Sequence, residues 1–153
     1  MNERAQKLIE TAQSQLGVCE EPKGSNKGKQ VEAYLKAVGL GGGNPWCMAF
    51  VVWCCKQAGL SAGVPKTGSV MVSWKSCKAA YRAPKSDPKP GDIIIFDHGG
   101  GKGHTGIVEA VEGSIIKTIE GNSNDDGSRE GYEVCRQSRN RFSTQLVGFI
   151  RVA

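Results

Sequence analysis

The feature that most constrains this chain is an apolar run from Trp46 to Gln57, "WCMAFVVWCCKQ", set between "GLGGGNP" and Gly59. The run is too short to span a bilayer. A helix that is apolar nearly all round must be enclosed on every side. The rest of the chain therefore has to wrap this segment as a central buried helix, with Gly59 as its C-cap. Three of the six cysteines fall on it. Cys54 and Cys55 lie well inside, and Cys47 lies at its mouth, just after Asn44-Pro45-Trp46.

The elements around it follow from periodicity. Ala5, Leu8, Ile9, Ala12 and Leu16 recur at helical spacing, with Gly17 ending the helix. Val31, Tyr34, Leu35 and Val38 predict a second helix closed by Gly39. Val70, Trp74, Cys77 and Tyr81 predict a fourth. The proline-rich connector "APKSDPKPGD" excludes helix. Beyond it come strands over Asp92–Phe96, Gly103–Val111 and Ser114–Asn122, the last two joined by a hairpin turn at "EGS". "GYEVCRQSR" and "QLVGFIRV" add two more. Helices first and an antiparallel sheet of about five strands second is an α+β order. No repeat or long linker divides the 153 residues, which read as one domain.

Composition excludes several functions. The net charge of +5 suits acidic partners. No basic block interleaved with aromatics, zinc-finger spacing or nucleotide-binding loop points to nucleic acid. The start, "MNERAQKLIETAQSQLG", lacks the apolar core of a signal peptide. It implies synthesis in the cytoplasm and release by other machinery. That origin, and the adjacency of Cys54 and Cys55, argue against a disulfide framework. Cys19, Cys54, Cys55, Cys77 and Cys135 read as small buried hydrophobes.

Cys47 is different because of its position. Unpaired N–H groups and the helix dipole favour negative charge at a helix start, which activates a thiol and can receive an oxyanion. A base is then required, and the chain has only two histidines. His98 lies in the glycine-rich "FDHGGGKG", whereas His104 opens a strand and is better held. A hairpin centred on Gly113 makes His104 face Asn122, with Glu120 its diagonal neighbour on the same sheet face. Either Glu120 or Asn122 could then accept the imidazole N–H. Cys47, His104 and one of these polar residues form a nucleophile, base and orienter pattern.

These motifs are similar to those of the CHAP amidohydrolase/peptidase family, related to NlpC/P60 and papain-like cysteine peptidases. The resemblance rests on "PWCMAFVVWC", "KPGDIIIF", "GHTGIVEAV" and "TIEGNSN", and runs from about Leu16 to Val152. It implies a papain-like, NlpC/P60-like fold and hydrolysis of an amide bond in peptidoglycan. The bond would lie in the peptide stem or cross-bridge, or at the sugar–peptide link. Residue by residue, it implies Cys47 as nucleophile, His104 as base, Glu120 as third member and Asn122 as a supporting polar residue. Trp46 becomes a wall of the acyl pocket, with core packing as its other reading. No metal or organic cofactor is implied. "KAVGLGGGNP" lacks the carboxylates of the calcium site some members carry, and "NDDGSREG" reads as a solvated turn. The resemblance suggests a phage endolysin acting beside a holin, or a secreted antibacterial effector with an immunity protein. The rival readings are a cysteine amidase on a non-wall substrate and a wall-binding module without activity. Stable membrane insertion is not expected. The groove should be shaped by "EPKGSNKGK", "GLGGGNP", "PKTGS" and "DHGGGKG".

Overall fold

The computed structural model describes residues 1–123 and 131–153. Helix α1 (Glu3–Gln13) starts at Asn2, whose side chain accepts the Ala5 N–H at 2.8 Å. It buries Ala5, Leu8, Ile9 and Ala12. Helix α2 (Lys29–Lys36) buries Val31, Tyr34 and Leu35. The apolar run forms α3 (Cys47–Gln57). Its C-terminus closes in a Schellman motif: Leu60 N–H donates to Cys55 O at 2.8 Å and Gly59 N–H to Lys56 O at 3.2 Å. Tyr34 packs edge-on against Phe50 and Trp53 and stacks on Trp46, which locks α2 to α3.

Helix α4 (Val70–Ser76) begins at Ser69, which caps the Val72 N–H. It is shorter than the spacing predicts. Cys77 is extended, and Tyr81 belongs to a separate 3₁₀ turn, Ala79–Tyr81. The helix stops because the next residues find a sheet. Strand β1 (Arg82–Ala83) pairs with β6 (Leu146–Ile150), and the Arg82 guanidinium donates to the exposed carbonyls of Trp74 and Lys75. This short edge strand, hidden in the start of the proline-rich connector, makes six strands among the described residues where about five are expected.

The others are β2 (Ile93–Gly99), β3 (Lys102–Glu112), β4 (Ile115–Ser123) and β5 (Glu133–Asn140). The sheet order is β1-β6-β2-β3-β4-β5, antiparallel throughout. Helix α3 lies against β3 and β4, and α4 against β2 and β3. Ile93, Ile95, Ile107, Ile119 and Ile150 join the helices in the main core. Ile94, Phe96, Val108, Ile116, Leu146 and Phe149 form a second cluster. Alternate residues of "IIIF" thus enter two clusters, which is why the run does not alternate with polar residues.

The β3–β4 hairpin is not the simple one predicted. Near the turn, Glu112 pairs with Ile115, Val111 with Ile116 and Ala110 with Lys117, a register centred between Gly113 and Ser114. Further in, Val108 pairs with Thr118 and Ile107 with Ile119, the register of a turn centred on Gly113. A bulge at Glu109 converts one into the other. The Glu109 carboxylate is bound by Arg136 of β5, with both bonds at 2.9 Å, and by Gln13 of α1 at 2.8 Å. Without the extra residue, Glu120 would project from the opposite face to His104.

Candidate active site

Cys47 is the first residue of α3 and only 4% exposed. Among the described residues no side chain caps this helix start, so the N–H groups of its first turn are not taken by such a cap. His104, 2% exposed, sits on β3 opposite Phe96 of β2. Its Nε2 lies 2.6 Å from Glu120 Oε1 on β4. With the carboxylate as acceptor, Nε2 carries a proton in both charge states of the ring, and Nδ1 is the nitrogen that gains or loses one. Nδ1 is buried and bonds to no nitrogen or oxygen among the described residues. The Cys47 sulfur adjoins the ring, and as a thiolate it supports the ring's positive charge. With Nε2 on Glu120, Nδ1 is the nitrogen left for the thiol proton.

Glycines make the approach possible. A Cβ on Gly106 would stand 2.5 Å from Glu120 Cγ. A Cβ on Gly121 would meet Phe50 Cβ and Trp46 Cζ3 at 2.8 Å, so β4 and the first turn of α3 touch only because Gly121 has no side chain. Gly121→Ala should cost about 1–3 kcal/mol of stability by overpacking, with lower activity as the helix start moves away. Denaturant titration and a rate assay check this; wild-type values in both would show that the contact is not needed.

A family model described as "CHAP domain" matches residues 39–122, a span that contains Cys47, His104, Glu120 and Asn122. This chain belongs to the CHAP family. The "Probable endopeptidase p60" of Listeria monocytogenes is 31% identical over 120 residues, covering 76% of this chain and 21% of that protein. Among solved structures, Ly7917 is 24% identical with a TM-score of 0.60, covering 97% of this chain and 62% of its own. The endolysin LysIME-EF1 is 17% identical with a TM-score of 0.63, covering 96% and 63%. This CHAP domain thus spans about a fifth of the curated relative and a little over three fifths of these structures.

Electrostatics of the CHAP site centre on Glu120, which is 0% exposed. Burial pushes its carboxyl up, but Arg139 and His104 outweigh that and hold it well below the usual carboxylate range. Burial likewise opposes charge on His104, yet the Cys47 sulfur, as a thiolate, and the Glu120 carboxylate raise it from 6.5 to about 9. A folded value above the unfolded one stabilises the fold fully below pH 6.5, and that contribution disappears as pH rises through about 9. The melting midpoint should therefore fall between about pH 6 and about pH 10, and fall less in His104→Ala. Thermal denaturation of both proteins at the two pH values measures it, and equal falls would remove His104 as the cause.

Arg139 of β5 escaped the sequence reading. It donates through Nε to Glu120 Oε2 at 2.8 Å and through Nη2 to Oε1. "GYEVCRQSRN" carries several polar residues at strand spacing, and only the β4–β5 register singles one out.

Asn122 does not touch the imidazole. Its φ is 55°, its Oδ1 accepts the Trp46 N–H at 2.8 Å, and its Nδ2 donates to Gly131 O. It ties β4 to the residue before Cys47. Trp46 takes the core place and not the pocket wall: it is 0% exposed, and its indole N–H donates to Glu20 Oε2 at 2.7 Å. His98 is on the end of β2 and not in a loop, exposed, with Nδ1 2.8 Å from Gln145 Oε1. Its ring lies near-parallel to that of His104, with centroids 6.4 Å apart.

All six cysteines are free. Cys54, Cys55 and Cys77 are buried; Cys19 is exposed and Cys135 half-buried, so the core reading fails for those two. Cys19 lies beside the edge strand β5, where its backbone pairs with Glu133.

Two cavities flank the site. One of about 230 Å³ is lined by Phe96, His98, His104, Arg139 and Gln145, among others. The other, about 400 Å³, is bounded by Leu40, Asn44 and Pro45, by Thr67–Val70, and by Gly101 and Gly103. Three of the four loops expected to shape the groove meet there. The fourth buttresses it, through the Gly43 N–H bond to Asn26 O at 2.8 Å. Among the described residues, no group of three or more His, Cys, Asp or Glu side chains could hold a metal, and no helix is long and apolar enough to cross a membrane. Residues 124–130, most of "NDDGSREG", lie outside the described residues.

Proposed function

We propose that the chain, as one catalytic unit, is a peptidoglycan hydrolase that cuts an amide bond with Cys47 as nucleophile. The observation that carries the reading is the buried His104 Nδ1 next to the Cys47 sulfur, with Nε2 held by Glu120. Nδ1 holds the proton taken from the thiol, either on attack or already in a resting thiolate–imidazolium pair, and the sulfur attacks the scissile carbonyl carbon. The carbonyl oxygen gains the electron pair and is received by N–H groups at the start of α3. Collapse of the tetrahedral adduct breaks the C–N bond, and the amine leaves with the proton from Nδ1. Water, deprotonated by the same nitrogen, then cleaves the thioester and restores the thiol. Glu120 stabilises the imidazolium, and Asn122 fixes the peptide preceding the nucleophile.

Family membership supports an enzyme of this class. The endopeptidase and endolysin names of its relatives, and a crystal structure of Ly7917 "with the hydrolyzing product of MDP", support a wall substrate. An endolysin would act on the wall beside a holin; an effector would meet an immunity protein in its cleft. Mass spectrometry of purified peptidoglycan after incubation with the protein tests the reading. New fragments are expected, and their masses identify the bond. No fragments from walls of several peptide types would overturn it in favour of another amide substrate or a binding module.

A further inference from the structure

We propose that Arg139 is a positioning residue for the imidazole: its guanidinium forks both oxygens of Glu120, holding that carboxylate in place for the His104 N–H and sharing its charge. The proposal rests on the assignment of Cys47, His104 and Glu120 as the reacting set. Arg139 lies beyond the residues that match the family model.

Each oxygen of Glu120 takes two donors. Oε1 accepts from His104 Nε2 and Arg139 Nη2, and Oε2 from Arg139 Nε and Thr118 Oγ1, the latter at 2.6 Å. A carboxylate bound this way cannot rotate without breaking several bonds at once. A bidentate guanidinium fixes the plane of the group as well as its position. It also compensates the buried negative charge permanently, which an imidazole that loses and regains its proton cannot do.

The second consequence is electrostatic. Arg139 and His104 share Oε1, so the carboxylate attracts the imidazolium less than a buried carboxylate with no other partner would. The other described groups facing the set are the Cys47 thiol of α3, the His98 ring of β2 and the Cys135 thiol of β5. Among these described groups, only Arg139 is a permanent cation. A general base works best when its proton affinity lies near the operating pH. Arg139 acts in that direction by restraining how strongly His104 holds its proton.

The test is an NMR titration of the imidazole signals in the full chain. Only two histidines are present, so His98 serves as an internal control. Arg139→Gln keeps a planar donor and removes the charge. His104 should then titrate about one pH unit higher, with kcat/KM on peptidoglycan about 10- to 100-fold lower. Arg139→Lys keeps the charge and loses the fork. It should leave the His104 titration close to wild type while still lowering the rate. A folded Arg139→Gln with His104 titrating as in wild type, or with an undiminished rate, overturns the proposal. If Arg139→Gln does not fold, a wild-type rate in Arg139→Lys does the same. Should the unaltered protein cut no wall, the hydrolase reading fails and the titration alone decides the role of Arg139.

Discussion

Cys47→Ala should leave peptidoglycan uncut, with a loss on the order of 10⁴-fold or more in kcat. The size follows from the chemistry: removing the sulfur removes the covalent route, while the helix start and the groove remain. The fold should persist, because alanine is a strong helix former and the change deletes one atom at the end of α3. Its melting midpoint is expected within a few degrees of wild type. Cys54→Ala and Cys55→Ala should behave oppositely. Both thiols are fully buried within α3. Burial raises Cys54 well above the ordinary thiol value and pushes Cys55 up to about 12, so neither supplies a thiolate near neutrality. Each should lose about 1 kcal/mol of stability to the void and keep most of its rate. Fragment yields and denaturant midpoints on the three variants separate the cases. Wild-type hydrolysis by Cys47→Ala would remove it as nucleophile.

His104→Ala should cost about 10³- to 10⁴-fold in kcat/KM, whereas His98→Ala should stay within about tenfold of wild type. The two rings are near neighbours, so the contrast tests orientation and not proximity. His104 is buried, with one nitrogen on Glu120 and the other left beside Cys47. His98 is exposed, and its Nδ1 is taken by Gln145. Truncating His104 leaves Glu120 paired with Arg139 and Thr118, so the carboxylate is not abandoned in the core. Steady-state rates on a soluble wall fragment decide the ranking. The reverse order would make His98 the base.

Much of the site was legible because its parts are local. Cys47 was conspicuous as a polarisable residue at the mouth of an all-apolar helix. His104 stood out because a strand start follows directly from "GHTGIVEAV". Their pairing with Glu120 was only conditionally legible. From the hairpin's sequence, the register that puts Glu120 beside His104 follows from a turn centred on Gly113, but the turn lies half a residue further on. Agreement near the site comes from the bulge at Glu109, held by Arg136 and Gln13. Nothing in the hairpin's own sequence states that those two residues will be within reach.

The sequence by itself determined the order of helices and strands, the buried central helix, the placement of Cys47 and His104 on their elements, and three of the loops around the larger cavity. Hydrophobic period, glycine caps and proline breaks act over a few residues, so a single chain displays them. Only the tertiary structure decided that Glu120 and not Asn122 meets the imidazole, that Trp46 is core, that α4 stops at Ser76, and that Arg139 clamps the carboxylate. Each of these depends on a partner many residues away, brought close by strand register and helix packing. Burial sets which polar atom must find a bond, and the fold sets which bonds are available.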